Sequence, residues 1–303
     1  MLIPIDHGNK QIKTLHKTFV SGLCVSDTKP PFGKDVLFYD GKYYTLTDQR
    51  IPYMRDKTKD NRYFILTLFG IGFELHEQHY GTNEVADIQL SIGLPPAHYG
   101  SQYKAFEQYF LNRDIIDFEL NGIPYTIFIS KAICFPQAYA AAIPVYQKIM
   151  QYSKTIVVDI GGFTADYLLI RHGQADLSVC DSLENGVIVL YNRIISTVNA
   201  DLDILLDESD IDMILTGEQQ SYTEPVCRIA REQAQLFVDD LFGKLRERMI
   251  DLRSGKTIFV GGGAILLKEQ IENSNKVGTA IFLDNIAANS RGYELLYQAA
   301  GME

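Results

Sequence analysis

The sequence predicts an α/β chain whose core is built twice. Two observations carry this. Short apolar runs alternate with longer stretches of helical period along the whole chain, as in strands and helices packed in layers. One local pattern, strand then Asp-x-Gly then strand, also occurs twice. Its first copy is Leu2-Ile3-Pro4-Ile5, then Asp6-His7-Gly8-Asn9, then a return strand from Lys10 to Leu15. Its second is an apolar run at 156–158, then Asp159-Ile160-Gly161-Gly162, then apolar residues 167–170. A third glycine cluster, Gly261-Gly262-Gly263-Ala264, follows an apolar strand at 257–260.

The totals fit this architecture. At 303 residues the chain is long enough for one large or two ordinary domains. Hydrophobic residues make up 46% and charged residues 22%, both globular values. The net charge of −10, with no basic cluster, argues against a direct grip on DNA, which needs Lys and Arg to replace counterions. Cys24, Cys134, Cys180 and Cys227 are far apart and form no zinc spacing, so buried reduced thiols are expected. No signal peptide pattern and no apolar run of roughly 20 residues is present, so a cytoplasmic protein without membrane contact is expected.

Taken in order, the first hairpin is followed by a strand at 18–25 and a Pro-Pro loop at 29–33. Residues 36–39 and 43–46 flank Asp40-Gly41, a two-residue hairpin signal. Residues 51–60 are polar and predict an exposed connection. Phe64, Ile65, Leu68, Phe69, Phe73 and Leu75 predict a helix over 61–79, weakened by Gly70 and Gly72. Residues 30–80 together suggest an inserted outer subdomain. A strand at 86–94 stops at Pro95-Pro96, and a short helix is expected at 103–111. Strands at 115–120 and 123–130 enclose Asn121-Gly122, a turn that needs positive φ twice. Pro136 and the alanines at 138 and 140–142 predict a tightly packed helix starting at the proline, suited to crossing between domains.

A second domain is expected from near Ser153, with the first domain ending about residue 150. Its signature hairpin continues through His172-Gly173 to a strand at 175–180. Ser182 is expected to cap a helix over 183–199. Five aspartates and a glutamate at 201–212 mark an acidic exposed segment with one short helix expected, and a strand is expected at 211–215. A long amphipathic helix covers 224–252, a helix 264–273, a last strand 281–283 and a closing helix 287–299.

Glycine turns let bare backbone N–H groups approach a phosphate, because no Cβ holds it away. A carboxylate at the entrance can hold the magnesium that travels with a polyphosphate, usually through water. A single Asp-x-Gly is also ordinary turn chemistry. Two copies suggest one turn from each half facing a shared cleft, with Asp6 and Asp159 approaching one metal ion.

The order of these motifs, spanning the whole chain, resembles the superfamily of actins, heat-shock chaperones and sugar kinases. Within it the chain is most similar to the ParM-like actins of bacterial plasmid segregation. The resemblance implies two actin-like (ribonuclease H-like) domains flanking a nucleotide cleft, with the closing helix returning to the first domain. It implies ATP or GTP with Mg²⁺ as cofactors, self-assembly into filaments, and a DNA-binding adaptor protein linking filament to DNA.

Site roles follow residue by residue. Asp6 and Asp159 would hold Mg²⁺ through water. Gly8, Asn9, Gly161, Gly162, Phe163 and Thr164 would donate to phosphate oxygens. Lys13 matches the family's phosphate-reaching lysine, with Lys10 as a competitor. Gln137 matches the group that orients the attacking water; some ParM-like relatives carry glutamate there and eukaryotic actins glutamine. Glutamine is too weak a base to take a proton, which implies slow hydrolysis acting as a timer; the alternative is a helix cap. Glu184, Asn185 and Gly186 match the stretch under the ribose, and Gly261, Gly262, Gly263 and Ala264 the adenosine loop. Arg228 and Arg231 either flank the base or line an exposed helix. Asp166 either assists the metal or caps the hairpin, and His7 either contacts nucleotide or does not. No Gly-x-Ser-x-Gly, P-loop or histidine constellation is present. Two alternatives remain at this stage: a small-molecule kinase of the same superfamily, and a nucleotide-gated adaptor that does not polymerise.

Overall fold

The computed structural model describes residues 1–31, 35–81, 84–217, 221–283 and 287–301. The expected loop at 29–33 and the extreme C-terminus lie partly outside them. The chain divides into two compact units, Met1–Pro144 with Ala287–Glu303, and Val145–Ile286.

In the first unit, β1 (Leu2–His7) and β2 (Gln11–Lys13) form the leading hairpin, and β3 (Thr18–Val20) pairs antiparallel with β2. The single strand expected at 18–25 is cut at Ser21. Its hydroxyl donates to the Gly8 carbonyl at 2.7 Å and its N–H to that of Lys10 at 3.0 Å, so the chain turns there. β4 (Leu23–Ser26) then pairs with β6 (Lys42–Leu46), which returns from β5 (Val36–Tyr39). Asp40 and Gly41 have φ of 50° and 72°, as a two-residue hairpin requires.

Helix α1 (Arg62–Glu77) is buried on nearly every face, so its sequence is apolar beyond one stripe. The two glycines expected to weaken it sit where it meets Ile5 and Leu120. Residues 51–60 are not an exposed connection: Ile51, Met54 and Lys57 are buried. β7 (Val85–Leu94), α2 (Pro96–Leu111), β8 (Ile116–Leu120) and β9 (Ile123–Pro136) follow. The nine strands order as β3-β2-β1-β7-β9-β8-β5-β6-β4, with β1, β7 and β9 parallel at the centre. The stretch 30–80 is therefore divided. Its strands extend this sheet and α1 belongs to the core.

The helix expected from Pro136 is much shorter. β9 runs through Pro136, paired to Leu94, and the N–H of Gln137 still donates to the Leu94 carbonyl at 2.9 Å. Ala138 then takes φ of 61°, a left-handed conformation that ends the strand, and α3 (Tyr139–Ala142) begins.

In the second unit α4 (Tyr146–Ile149) precedes β10 (Lys154–Ile160), β11 (Ala165–Arg171) and β12 (Gln174–Leu183). Ser182 is not a helix cap: it sits in β12 opposite Asp166, and α5 (Val187–Leu202) starts after Gly186. Residues 211–215 are helical, in α6 (Glu208–Thr216), where Asp207 and Asp210 form a capping box. Their apolar residues Ile211, Ile214 and Leu215 follow helical spacing on one buried face. α7 (Glu224–Glu247) buries its apolar stripe in the same core as α5. β13 (Lys256–Val260) leads to α8 (Gly262–Leu266) and α9 (Lys268–Asn273), which break at Leu267 where one helix was expected. β14 (Thr279–Phe282) completes the order β12-β11-β10-β13-β14. Helix α10 (Ala288–Ala299) belongs to the first unit, where Ser290 donates to the Lys13 carbonyl at 3.0 Å and Ser91 to that of Tyr293 at 2.9 Å.

The Glu74 carboxylate of α1 is buried and accepts from the His16 backbone N–H at 3.1 Å and from its Nδ1 at 2.7 Å. That hydrogen bond, then the carboxylate's charge, raises the His16 pKa. Protonated His16 therefore stabilises the fold fully below the ordinary histidine value, and the contribution is lost as pH rises through the raised value. Unfolding titrations of wild type and His16→Ala should differ most below about pH 6 and converge on the alkaline side. The His16 side chain is half exposed, so the difference should stay at or below about 1 kcal/mol. A gap that widened with pH would contradict this.

Candidate functional site

In the first unit the site is built on the end of β1. The hairpin register sets Asp6 directly opposite Lys13, and the Lys13 Nζ lies 3.8 Å from the Asp6 Oδ2. Gln137, 131 residues away, donates through Nε2 to the Asp6 Oδ1 at 2.8 Å. Both Asp6 and Gln137 are buried, so this is a desolvated pair of polar groups satisfying each other. Gln137 does not cap the helix. The cap position is Ala138, whose N–H donates to the Asn289 side chain of α10 at 3.2 Å.

The turn after Asp6 is fixed from several sides. Tyr63 of α1 donates to the Asn9 Oδ1 at 2.7 Å. Lys57 is buried, donates to the His7 carbonyl and lies 5.1 Å from the Tyr63 ring centre. The His7 ring is turned into the core, with Nε2 at 2.7 Å from the Thr67 hydroxyl and Phe106 and Phe110 packed against it. Burial, reinforced by the Lys57 charge, holds its pKa well below the ordinary value. His7 is thus a neutral core residue and not a ligand contact.

In the second unit Asp159 is the next-to-last residue of β10, and the ladder sets it opposite Asp166 of β11. Cross-strand partners share a face, so two buried carboxylates lie side by side, with Asp166 inside the ladder rather than at the turn. On the neighbouring strand, burial first, and then the Asp166 and Asp181 charges, push the Cys180 thiol up to about 12.

The turn at 161–164 rests on the start of α5. The N–H groups of Gly186, Val187 and Ile188 donate to the carbonyls of Phe163, Gly161 and Gly162 at 3.0, 3.1 and 3.0 Å. A trans peptide points its N–H opposite to its carbonyl. The N–H groups of Gly162, Phe163 and Thr164 therefore face away from α5. Gly186 permits this contact, since a Cβ there would lie 2.2 Å from the Gly162 oxygen. Gly261 has φ of 88°, and a Cβ on it would lie 2.3 Å from the Asp159 Oδ1. The adenosine-loop candidates Gly261, Gly262, Gly263 and Ala264 are thereby brought against the end of β10.

Of the ribose candidates, Glu184 is exposed, whereas Asn185 is buried and accepts from Lys244 at 2.7 Å. Arg228 and Arg231 pair with Glu232 and Glu224 on an exposed helix face, the second of the two readings. Sequence reasoning missed Lys57, since nothing in a polar stretch says which lysine turns inward. It also missed Asn289, which acts from the opposite end of the chain. No cluster of three or more acidic, histidine or cysteine ligands is present among the described residues. A divalent ion here would be held by few carboxylates, through water and ligand oxygens, which is how Mg²⁺ binds.

Two family models match: "Actin like proteins N terminal domain" over residues 5–139, and "Archaeal actin homologue MreB-like, C-terminal" over residues 157–273. Both halves of the chain are thus matched by actin-type models. The chain belongs to the actin-like proteins. An archaeal actin homologue has the same fold, with a TM-score of 0.80 at 20% identity over 99% of both chains. An archaeal actin homologue in complex with ADP gives 0.75 at 18% identity, covering 100% of this chain and 99% of the other. The subunit of a 15-stranded ParM filament from Clostridium botulinum gives 0.76 at 15% identity, covering 98% and 99%. No curated protein sequence matches. The ParM-like resemblance read from the motifs is borne out, and so is the two-domain actin-like α/β fold.

In this actin-like protein Gly261→Ala should be costly. The methyl meets the Asp159 carboxylate and the backbone is left-handed, so a loss of about 1–3 kcal/mol is expected. Denaturant unfolding followed by circular dichroism would measure it. An unchanged midpoint would mean the Gly261 loop does not press on Asp159.

Proposed function

We propose that this actin-like protein is a filament-forming nucleoside triphosphate hydrolase, using ATP or GTP, working with Mg²⁺. The observation that carries the reading is the hydrogen bond from Gln137 to Asp6. Sequence motifs gave these two residues separate roles, water orientation and metal, and folding joins them. Their chemistry fits the assignment. A carboxylate accepting from the glutamine amide holds that side chain in one orientation, leaving its carbonyl oxygen to accept from a water.

In this reading Asp6 and Asp159 hold the hydrated Mg²⁺, which supplies charge neutralisation of the phosphates. The N–H groups of Gly8, Asn9, Gly162, Phe163 and Thr164, and the Lys13 ammonium, bind phosphate oxygens, while the Gly161 N–H closes the turn on the Thr164 carbonyl at 2.8 Å. Glu184, Gly186 and residues 261–264 bind the nucleoside. Glutamine positions water without taking its proton, so hydrolysis is slow and times disassembly. The filament reading draws on the ParM filament among the structural relatives. The net charge of −10 favours an adaptor protein as the link to DNA, with plasmid segregation as the use of the filament. Among the described residues no helix is long and apolar enough to cross a membrane.

Pelleting and light scattering with ATP, GTP, ADP and no nucleotide, alongside phosphate release, test this. A sharp critical concentration with triphosphate only is expected; absence of sedimentation at any concentration would refute filament formation. Gln137→Ala should keep assembly while slowing phosphate release by roughly tenfold or more. Asp159→Ala should abolish magnesium-dependent nucleotide binding. Normal hydrolysis by Gln137→Ala would remove that residue from the mechanism.

A further inference from the structure

The second unit carries an open cleft of about 620 Å³ at the edge of the sheet where β10, β13 and β14 begin. It is lined by Ser153, Lys154, Arg253, Ser254, Lys256 and Thr279, together with backbone at Gly255 and Gly278. Lys154 and Lys256 have no carboxylate within ion-pair distance among the described residues. Instead Lys154 donates to the Ser254 hydroxyl at 2.6 Å, and Lys256 lies 5.4 Å from the Tyr152 ring centre. Arg253 pairs with Asp251 at 3.2 Å, a residue outside the lining. The lining therefore holds three cations, four hydroxyls and no carboxylate, in a chain whose net charge is −10. Gathering like charges in one cleft is unfavourable, and a bound anion reverses the sign of that cost.

The cleft is separate from the candidate nucleotide site. Asp159 lies at the end of β10 and Gly261 just after β13, whereas Lys154 and Lys256 begin these strands. Five residues of extended strand separate Lys154 from Asp159, roughly 17 Å at the usual rise.

We propose that this cleft is a second anion site, taking a small molecule or ion that carries at least two phosphate groups. Two ammonium groups, a guanidinium and hydroxyl donors match the many acceptor oxygens of such a ligand. The volume lies within the usual range for small-molecule sites. The one aromatic side chain of the lining, Tyr152, is already faced by Lys256, so recognition is of phosphate and not of a stacked base. The proposal is independent of the nucleotide assignment.

Calorimetric titration of the full chain with pyrophosphate, in the absence and presence of saturating ADP and Mg²⁺, tests it. Pyrophosphate binding that persists with ADP and weakens at least tenfold in a Lys154→Gln/Lys256→Gln variant is expected. That variant should bind ATP within about twofold of wild type, and its melting temperature should not fall, because it loses repulsion rather than an ion pair. Binding unaffected by the double substitution, or no binding at millimolar pyrophosphate, would overturn the proposal. Citrate binding as tightly as pyrophosphate would overturn the phosphate assignment and give the cleft to carboxylates, including those of another protein chain.

Discussion

A carboxylate buried at the end of a central strand has to be satisfied, and in the first unit that constraint ties distant parts of the chain together. Leaving a buried charge unpartnered costs several kcal/mol. Asp6 draws one partner from its own hairpin and another from beyond β9. Reach to the second depends on two parallel ladders in register, Ile5 with Ile92 and Leu94 with Pro136. A slip of one residue in either ladder would turn the partner to the wrong face. The sheet's register and the site's chemistry are therefore one requirement. The left-handed Ala138 and the Asn289 contact that holds it belong to the same requirement, because they stop the strand at Gln137.

The second unit solves a different problem, that of aiming a flexible turn. Glycines make the turn at 161–164 able to approach a ligand, but they do not choose its direction. The first N–H groups of α5, unsatisfied within any helix, take the turn's carbonyls and so choose it. The start of a helix is used here on protein, which leaves the turn's own N–H groups at 162–164 pointing away from it.

Much of this was legible in the sequence where one local rule decided the outcome. Asn121-Gly122 and Asp40-Gly41 mark hairpins because only certain residues accept positive φ. Both Asp-x-Gly turns were found because the strand, Asp-x-Gly, strand layout occurs twice, whereas one copy alone is ordinary turn chemistry. What was not legible depended on long-range contacts. Pro136 is a good first residue of a helix, yet the Leu94 ladder keeps it in a strand. Residues 211–215 read as a strand because β-branched and apolar residues crowd there, and the upstream capping box decides for helix. Lys57 lies in a polar run, and its burial follows from a backbone carbonyl and an aromatic ring that only the fold brings near.

The two turns share a layout but differ in electrostatics, and under the proposed reading this divides their labour. Asp6 faces an ammonium and an amide donor, so much of its charge is already answered within the protein. Asp159 has a second carboxylate, Asp166, across the ladder. Like charges on facing strand positions are unfavourable until a cation joins them. The duplicated hairpin has diverged in its surroundings: one copy sets two carboxylates across a ladder, and the other sets its carboxylate against Lys13 and Gln137.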